Sequence, residues 1–389
     1  MSSASAATSS DSGAGSPRTK PPFRADHVGS LLRPKSLLAA RAEHEQGRLS
    51  AVELRRREDD AIRDAVRMQE EVGLRSITDG ELRRGSWHMD FVYQIGGVER
   101  SEDDLRSRFN SEGGIVELRV SKAVVRDKLA LDDTIFGDEF GFLAAQVGSG
   151  ATPKLTIPSP SMVHYRGGRA AIDSDVYPDM DAFWDDLADV YAQEIKRLAD
   201  LGCTYLQLDD TSFAYLSDPK QRAEFDLRGE SGDTQHLTYI RTINRALANR
   251  PAGMTITTHM CRGNFRSSWV AEGGYEFVAE AVFGELAVDA FFLEYDDARS
   301  GSFAPLRFVP ADKLVVLGLV TSKRPQLESR DDLRRRIDEA SRYIDIDQLC
   351  LSPQCGFSST KEGNSLTPDE QRAKLALVVE TAAEVWGAP

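Results

Sequence analysis

His259 and Cys261 stand two residues apart at the end of the β-rich run 255–261. Side chains at i and i+2 of an extended strand share a face, so an imidazole and a thiol are presented side by side. Two more donors close later apolar runs: Glu294 ends Phe291-Phe-Leu-Glu, and Cys355 follows Leu351-Ser-Pro-Gln. One imidazole, two thiols and a carboxylate form a donor set suited to Zn2+. A lone strand histidine is more often a packed core residue, and a lone cysteine a small buried hydrophobe. The joint placement at strand exits is what points to a metal. Cys203, after a helix end, and Cys350, inside Leu349-Cys-Leu, lack that placement and read as structural.

Two thiolates, an imidazole and a carboxylate nearly close a zinc site, but the carboxylate is the hardest and most exchangeable of the four. An incoming thiol that displaced it would lose its proton and become a nucleophile at neutral pH. Two anionic sulfurs dampen the Lewis acidity that hydrolysis requires. Transfer of an alkyl group to a substrate sulfur is the reaction class this set favours.

The elements that must position these residues alternate. Strands are expected at 24–30, 76–81, 154–159, 205–209, 255–261, 290–294, 313–320 and 348–352. Helical spacing covers 35–46, 52–71, 180–201, 234–249, 276–286, 331–344 and 368–386. Roughly eight strands, nearly all followed by helices, suit a closed parallel (β/α)8 barrel, with a doubly wound open sheet as the competitor. Ser30, Glu81, Asp209, Cys261, Glu294 and Cys355 all fall at or just past strand C-termini. Only a closed barrel gathers every strand end around one mouth. Residues 95–150 break the rhythm: the glycine pairs 96–97 and 113–114 and the alternating run from Ile115 predict an antiparallel excursion after the second strand, closed by a helix around 139–147. Residues 1–20 are Ser/Ala/Gly-rich and are expected to form a disordered tail, leaving 21–389 as one barrel domain.

The formal net charge of −14 argues against nucleic acid or an anionic membrane surface as a partner. Nothing approaches the roughly 20 apolar residues that span a bilayer. Four cysteines in 389 residues are no disulfide framework, and no apolar leader core opens the chain, so a reducing, cytoplasmic setting is expected.

The segments Thr258-His-Met-Cys-Arg-Gly-Asn264, Phe292-Leu-Glu-Tyr-Asp296 and Leu351-Ser-Pro-Gln-Cys-Gly-Phe357 resemble the zinc motifs of cobalamin-independent methionine synthase, its single-barrel relatives above all. Asp26-His-Val-Gly-Ser-Leu-Leu-Arg-Pro34, Thr78-Asp-Gly-Glu81 and Leu317-Gly-Leu-Val-Thr-Ser-Lys323 extend the resemblance over most of the chain from Phe23. It implies a TIM-type barrel, zinc on His259, Cys261, Glu294 and Cys355, and transfer of a methyl group to homocysteine to give methionine. It also implies that the amino acid is held at Gly29, Ser30, Glu81 and Asp209, two carboxylates suiting an ammonium group. The chain departs from the full-length family in having room for one barrel. It also places Lys323 near the position of a histidine that protonates the leaving folate nitrogen. A lysine, with its ordinary pKa of about 10.4, is a poor acid unless burial lowers it; binding an anionic part of the donor is the other role open to it. The donor is open: a methylated folate, methylcobalamin or a methylated sulfur compound. Alkyl transfer to another thiol, as in epoxide-using relatives, and a non-catalytic zinc-binding barrel are the alternatives.

Overall fold

The computed structural model describes residues 15–103, 105–111 and 114–387. Its strands in chain order are β1 (Ser76–Ile77), β2 (Gly96–Arg100), β3 (Leu105–Ser111), β4 (Gly114–Val120), β5 (Ala123–Ala130), β6 (Thr152–Pro153), β7 (Leu155–Pro158), β8 (Tyr205–Asp209), β9 (Thr255–Met260), β10 (Ala290–Glu294), β11 (Leu314–Val320) and β12 (Leu349–Pro353). Strands β7 to β12 form one parallel sheet, each paired with its successor in sequence. β10 and β12 are buried along their whole length, as strands of a parallel sheet covered on both faces should be. Helices 180–200, 235–247, 330–340 and 368–386 follow the strands and supply the outer cover. Each fully buried Leu, Val or Phe in these layers contributes about 1.5–3 kcal/mol.

The six-strand sheet continues in fragments at both edges. β1 pairs in parallel with β6, and the Lys154 N–H between β6 and β7 donates to the Ile77 carbonyl. At the far edge Ala25 makes one parallel bridge to Leu351 of β12. The strand expected at 24–30 is thus a single bridge, and the one expected from Ser76 is two residues long. Side chains do the joining instead. Asp26 accepts five hydrogen bonds, from Phe23 N, His27 N, Ser76 Oγ, Lys154 Nζ and Tyr205 Oη, between 2.7 and 3.3 Å. Lys154 is wholly buried, donates also to the His27 carbonyl at 2.5 Å, and lies over the Phe292 ring.

The 95–150 segment is antiparallel as expected, but its alternating run is cut at Ser121–Lys122. β3 pairs with β4, while β2 pairs with β5. The β3–β4 hairpin folds back over the strand exits. Asn110 and Trp269 exchange N–H···O bonds of 2.6 and 2.9 Å, and the Phe109 ring lies 5.5 Å from Phe265. Helix 137–146 closes the segment. Short helices 161–165, 212–216 and 219–227 were not anticipated; one or two turns are too few for a helical period to register.

Residues 1–14 of the expected tail lie outside the described residues. Just after them, Ser16 N donates to Asp347 Oδ1 at 2.7 Å and its carbonyl accepts from Arg24 Nε. Among the described residues no helix is long and apolar enough to cross a membrane.

Candidate functional site

Strand register builds the site. Asp209, the last residue of β8, pairs with His259 of β9, and His259 pairs with Phe292 of β10. Glu294, two residues beyond Phe292, therefore shares its face and stands level with Cys261. The loop after β12 carries Cys355. The result is a buried trio: the ligand atoms of His259, Cys261 and Cys355 all lie within 4.8 Å of one another. Cys203 and Cys350 are buried elsewhere, Cys203 donating to the Tyr205 carbonyl.

The trio carries its own charge pattern. Burial pulls the His259 imidazolium down, but hydrogen bonds with the Asp209 carboxylate and the Cys355 sulfur outweigh it and hold its pKa up at about 10. A hydrogen bond from Cys261, seconded by His259, keeps the Cys355 thiol well below its ordinary range, and the same bond drives Cys261 well above. Asp209 Oδ1 lies 3.3 Å from His259 Nδ1 and is itself fixed by Gln207 Nε2 at 2.7 Å. A carboxylate on the far nitrogen is the usual device for orienting a metal-binding imidazole. The donor set, two sulfurs and a nitrogen in a buried site, fits zinc.

Glu294 is fully buried but sits outside the trio. Its Oε1 takes Lys323 Nζ at 2.9 Å and its Oε2 accepts the Arg262 backbone N–H at 2.7 Å. Lys323 also meets Asp296 Oδ2 at 3.3 Å. Burial alone would lower the Lys323 ammonium, but the Asp296 and Glu294 carboxylates raise it instead. The ammonium is held between these two carboxylates.

The trio opens into a cavity of about 420 Å³ that also reaches Ser30, Glu81 and Asp209. Glu81 holds a left-handed φ of 56°, a strained choice for a non-glycine residue that aims its side chain inward. Its Oε1 accepts from Thr156 Oγ1 at 2.8 Å, while its buried Oε2 has no partner among the described residues. Burial, with help from the Asp209 charge, pushes the Glu81 carboxyl up to about 7. Ser30 is pressed against the loop after β12: a Cβ at Gly356 would stand 1.9 Å from its hydroxyl, so only glycine fits. Gly29, at φ 142°, brings its own backbone against Thr156 and Glu81. Asp210, the neighbour that strand alternation turns away, accepts from Ser212 N and Ser161 Oγ and is spent on local structure.

His88 and Arg166 also line the cavity, and neither was singled out from the sequence. Both follow strand exits, where a loop histidine or arginine has no periodicity to mark it.

Residues 23–384 match the family described as cobalamin-independent synthase, catalytic domain. The uncharacterized protein YxjG of Bacillus subtilis is 46% identical over 371 residues, spanning 95% of this chain and 96% of that one. The crystal structure of the putative vitamin-B12 independent methionine synthase from Listeria monocytogenes aligns with a TM-score of 0.75 at 38% identity, over 94% of this chain and 98% of that one. A B12-independent methionine synthase from Shewanella sp., in complex with selenomethionine, shares the fold with a TM-score of 0.66 at 19% identity, over 92% and 96%. This α/β chain is a single-domain member of the cobalamin-independent methionine synthase family, a family of methyltransferases.

Proposed function

We propose that the protein is a zinc-dependent methyltransferase that passes a methyl group to the thiol of homocysteine and releases methionine. The observation that carries this reading is the buried His259–Cys261–Cys355 trio lining the cavity. In this reading residues 21–389 form one (β/α)8 barrel; the Ala25 bridge to Leu351 and the β1–β6 pair, which extend the six-strand sheet at its two edges, support it. His259, Cys261 and Cys355 hold the metal, and Glu294 is the exchangeable fourth donor, its charge balanced by Lys323. Bound to this set, zinc supplies the positive charge that lets a coordinated thiol lose its proton at neutral pH.

The chain's own residues then orient the amino acid. The free Glu81 Oε2 and the Asp209 carboxylate receive the ammonium group, and Ser30 with the Gly29 backbone receives the carboxylate. The sulfur attacks the donor's methyl carbon; the new C–S bond forms as the methyl–donor bond breaks, its electron pair leaving with the donor. The Shewanella relative bound selenomethionine, an analogue of the product in this reading.

Purified protein should contain one zinc per chain and form methionine from homocysteine with at least one of methyltetrahydrofolate, methylcobalamin or a methylsulfonium donor. Cys355→Ser should lose the metal and at least about 100-fold in turnover, since disturbing an outer-shell partner already costs 10–100-fold. Absence of stoichiometric zinc, or of methionine with every donor, defeats the proposal. If Glu81→Ala spares a thiol lacking an amino group while removing homocysteine use, the anchor is assigned; equal loss of both sends the substrate back to the wider class of thiols.

A further inference from the structure

One half of the cavity has no part in the reading above. His88, in the loop after β1, is only 6% exposed, with Nδ1 3.2 Å from Ser86 Oγ and the Trp87 ring 4.4 Å away. Its Nε2 is buried and meets no partner among the described residues. Arg166, just past helix 161–165, lines the same cavity with a buried Nε that makes no hydrogen bond, and no carboxylate pairs with it among the described residues. Arg166 is half-buried; Arg262, fully buried, instead donates to the Gly273 and Glu294 carbonyls. Tyr215 and Cys261 line the same cavity as His88 and Arg166, so the pair belongs to the space that adjoins the sulfur cluster.

A desolvated donor left unmade costs about 1–3 kcal/mol, more when charged. Both residues line one cavity, and a guanidinium fork with a ring N–H suits the geometry of a carboxylate or phosphate. We infer that His88 and Arg166 form a subsite for an anionic group, carboxylate or phosphate, on the methyl donor, with Trp87 and Phe109 as its apolar walls. The inference rests on the proposed methyl transfer. There the amino acid's carboxylate is already met at Ser30, which leaves this pair for the second substrate.

The test uses electrophiles that differ only in charge: 4-(bromomethyl)benzoate, [4-(bromomethyl)phenyl]phosphonate and the neutral 4-(bromomethyl)benzamide. Each alkylates homocysteine at its benzylic carbon. The C–S bond forms, bromide leaves with the electron pair of the C–Br bond, and the thiol proton passes to buffer. With zinc-loaded protein and homocysteine, the thioether products are followed by mass spectrometry in single turnovers. Arg166→Ala should slow at least one anionic reagent about tenfold or more relative to the benzamide, as loss of a charge-assisted contact requires. Arg166→Lys should recover part of the difference, and His88→Ala should lose less. The reagent that is slowed identifies the anion. Unchanged ratios overturn the subsite, and so does equal slowing of all three reagents, which would put Arg166 on the homocysteine side or in the fold. If the wild-type protein accelerates none of them over free homocysteine, thiol activation itself fails and the subsite falls with it.

Discussion

At the N-terminal ends of the strands, Asp26, Lys154 and Tyr205 satisfy one another. At the C-terminal ends, Glu81 and His88 each keep a buried atom that nothing meets among the described residues. Both regions place charge out of water, at comparable depth. Asp26 takes five hydrogen bonds on its two oxygens, and Lys154 divides its donors between that carboxylate and a carbonyl. The strand-exit end stops short of completion, with Glu81 using one oxygen and His88 one nitrogen. A completed polar network specifies a fold; an incomplete one specifies a guest.

The contrast can be broken from either side. Asp26→Ala should have the largest effect, because it strands the Lys154 ammonium in the interior: about 3–5 kcal/mol of unfolding free energy in denaturant titrations, with zinc stoichiometry of the folded fraction intact. A loss under 1 kcal/mol would mean that the network is dispensable. Asp209→Asn should leave stability nearly alone and weaken zinc binding by about 10–100-fold in chelator competition, as loss of the carboxylate behind a metal-binding imidazole does. Unchanged zinc affinity would confine Asp209 to the amino acid's ammonium.

The smallest effect concerns Glu81. Its folded pKa of about 7 lies above that of an unfolded carboxylate. The native state therefore binds the extra proton, and this residue's contribution to stability falls as pH rises from about 4.5 to 7. Binding of the ammonium needs the opposite, ionised form. Homocysteine affinity should drop about tenfold between pH 8 and pH 6, following the anionic fraction of a group titrating near 7, and Glu81→Gln should flatten that profile. A wild-type affinity that does not vary with pH over this range would place the ammonium elsewhere.

What could be read from the chain alone follows the reach of local rules. The parity of an extended strand puts His259 and Cys261 on one face, and long apolar runs locate β8, β10 and β11 to within a residue. Asp209 closes β8 and reaches the cavity for the same reason, while Glu81 stands in the loop past the short β1. Lys323 was placed by motif, but its grip on Glu294 and Asp296 joins two strand exits and has no signature in either segment. The first strand dissolved into side-chain bonds because Asp26 and His27 interrupt the apolar run that a ladder needs. His88 and Arg166 could have been noticed only as polar residues just past strand ends, a property they share with many solvated loop residues.

The Asn110–Trp269 exchange joins segments more than 150 positions apart. Closing so long a loop is entropically costly until the parallel sheet has already brought its ends together. The roof over the sulfur cluster is then among the last pieces to settle during folding. A nascent chain would pass through a stage in which the Cys261 and Cys355 thiols stand open to water and oxidants.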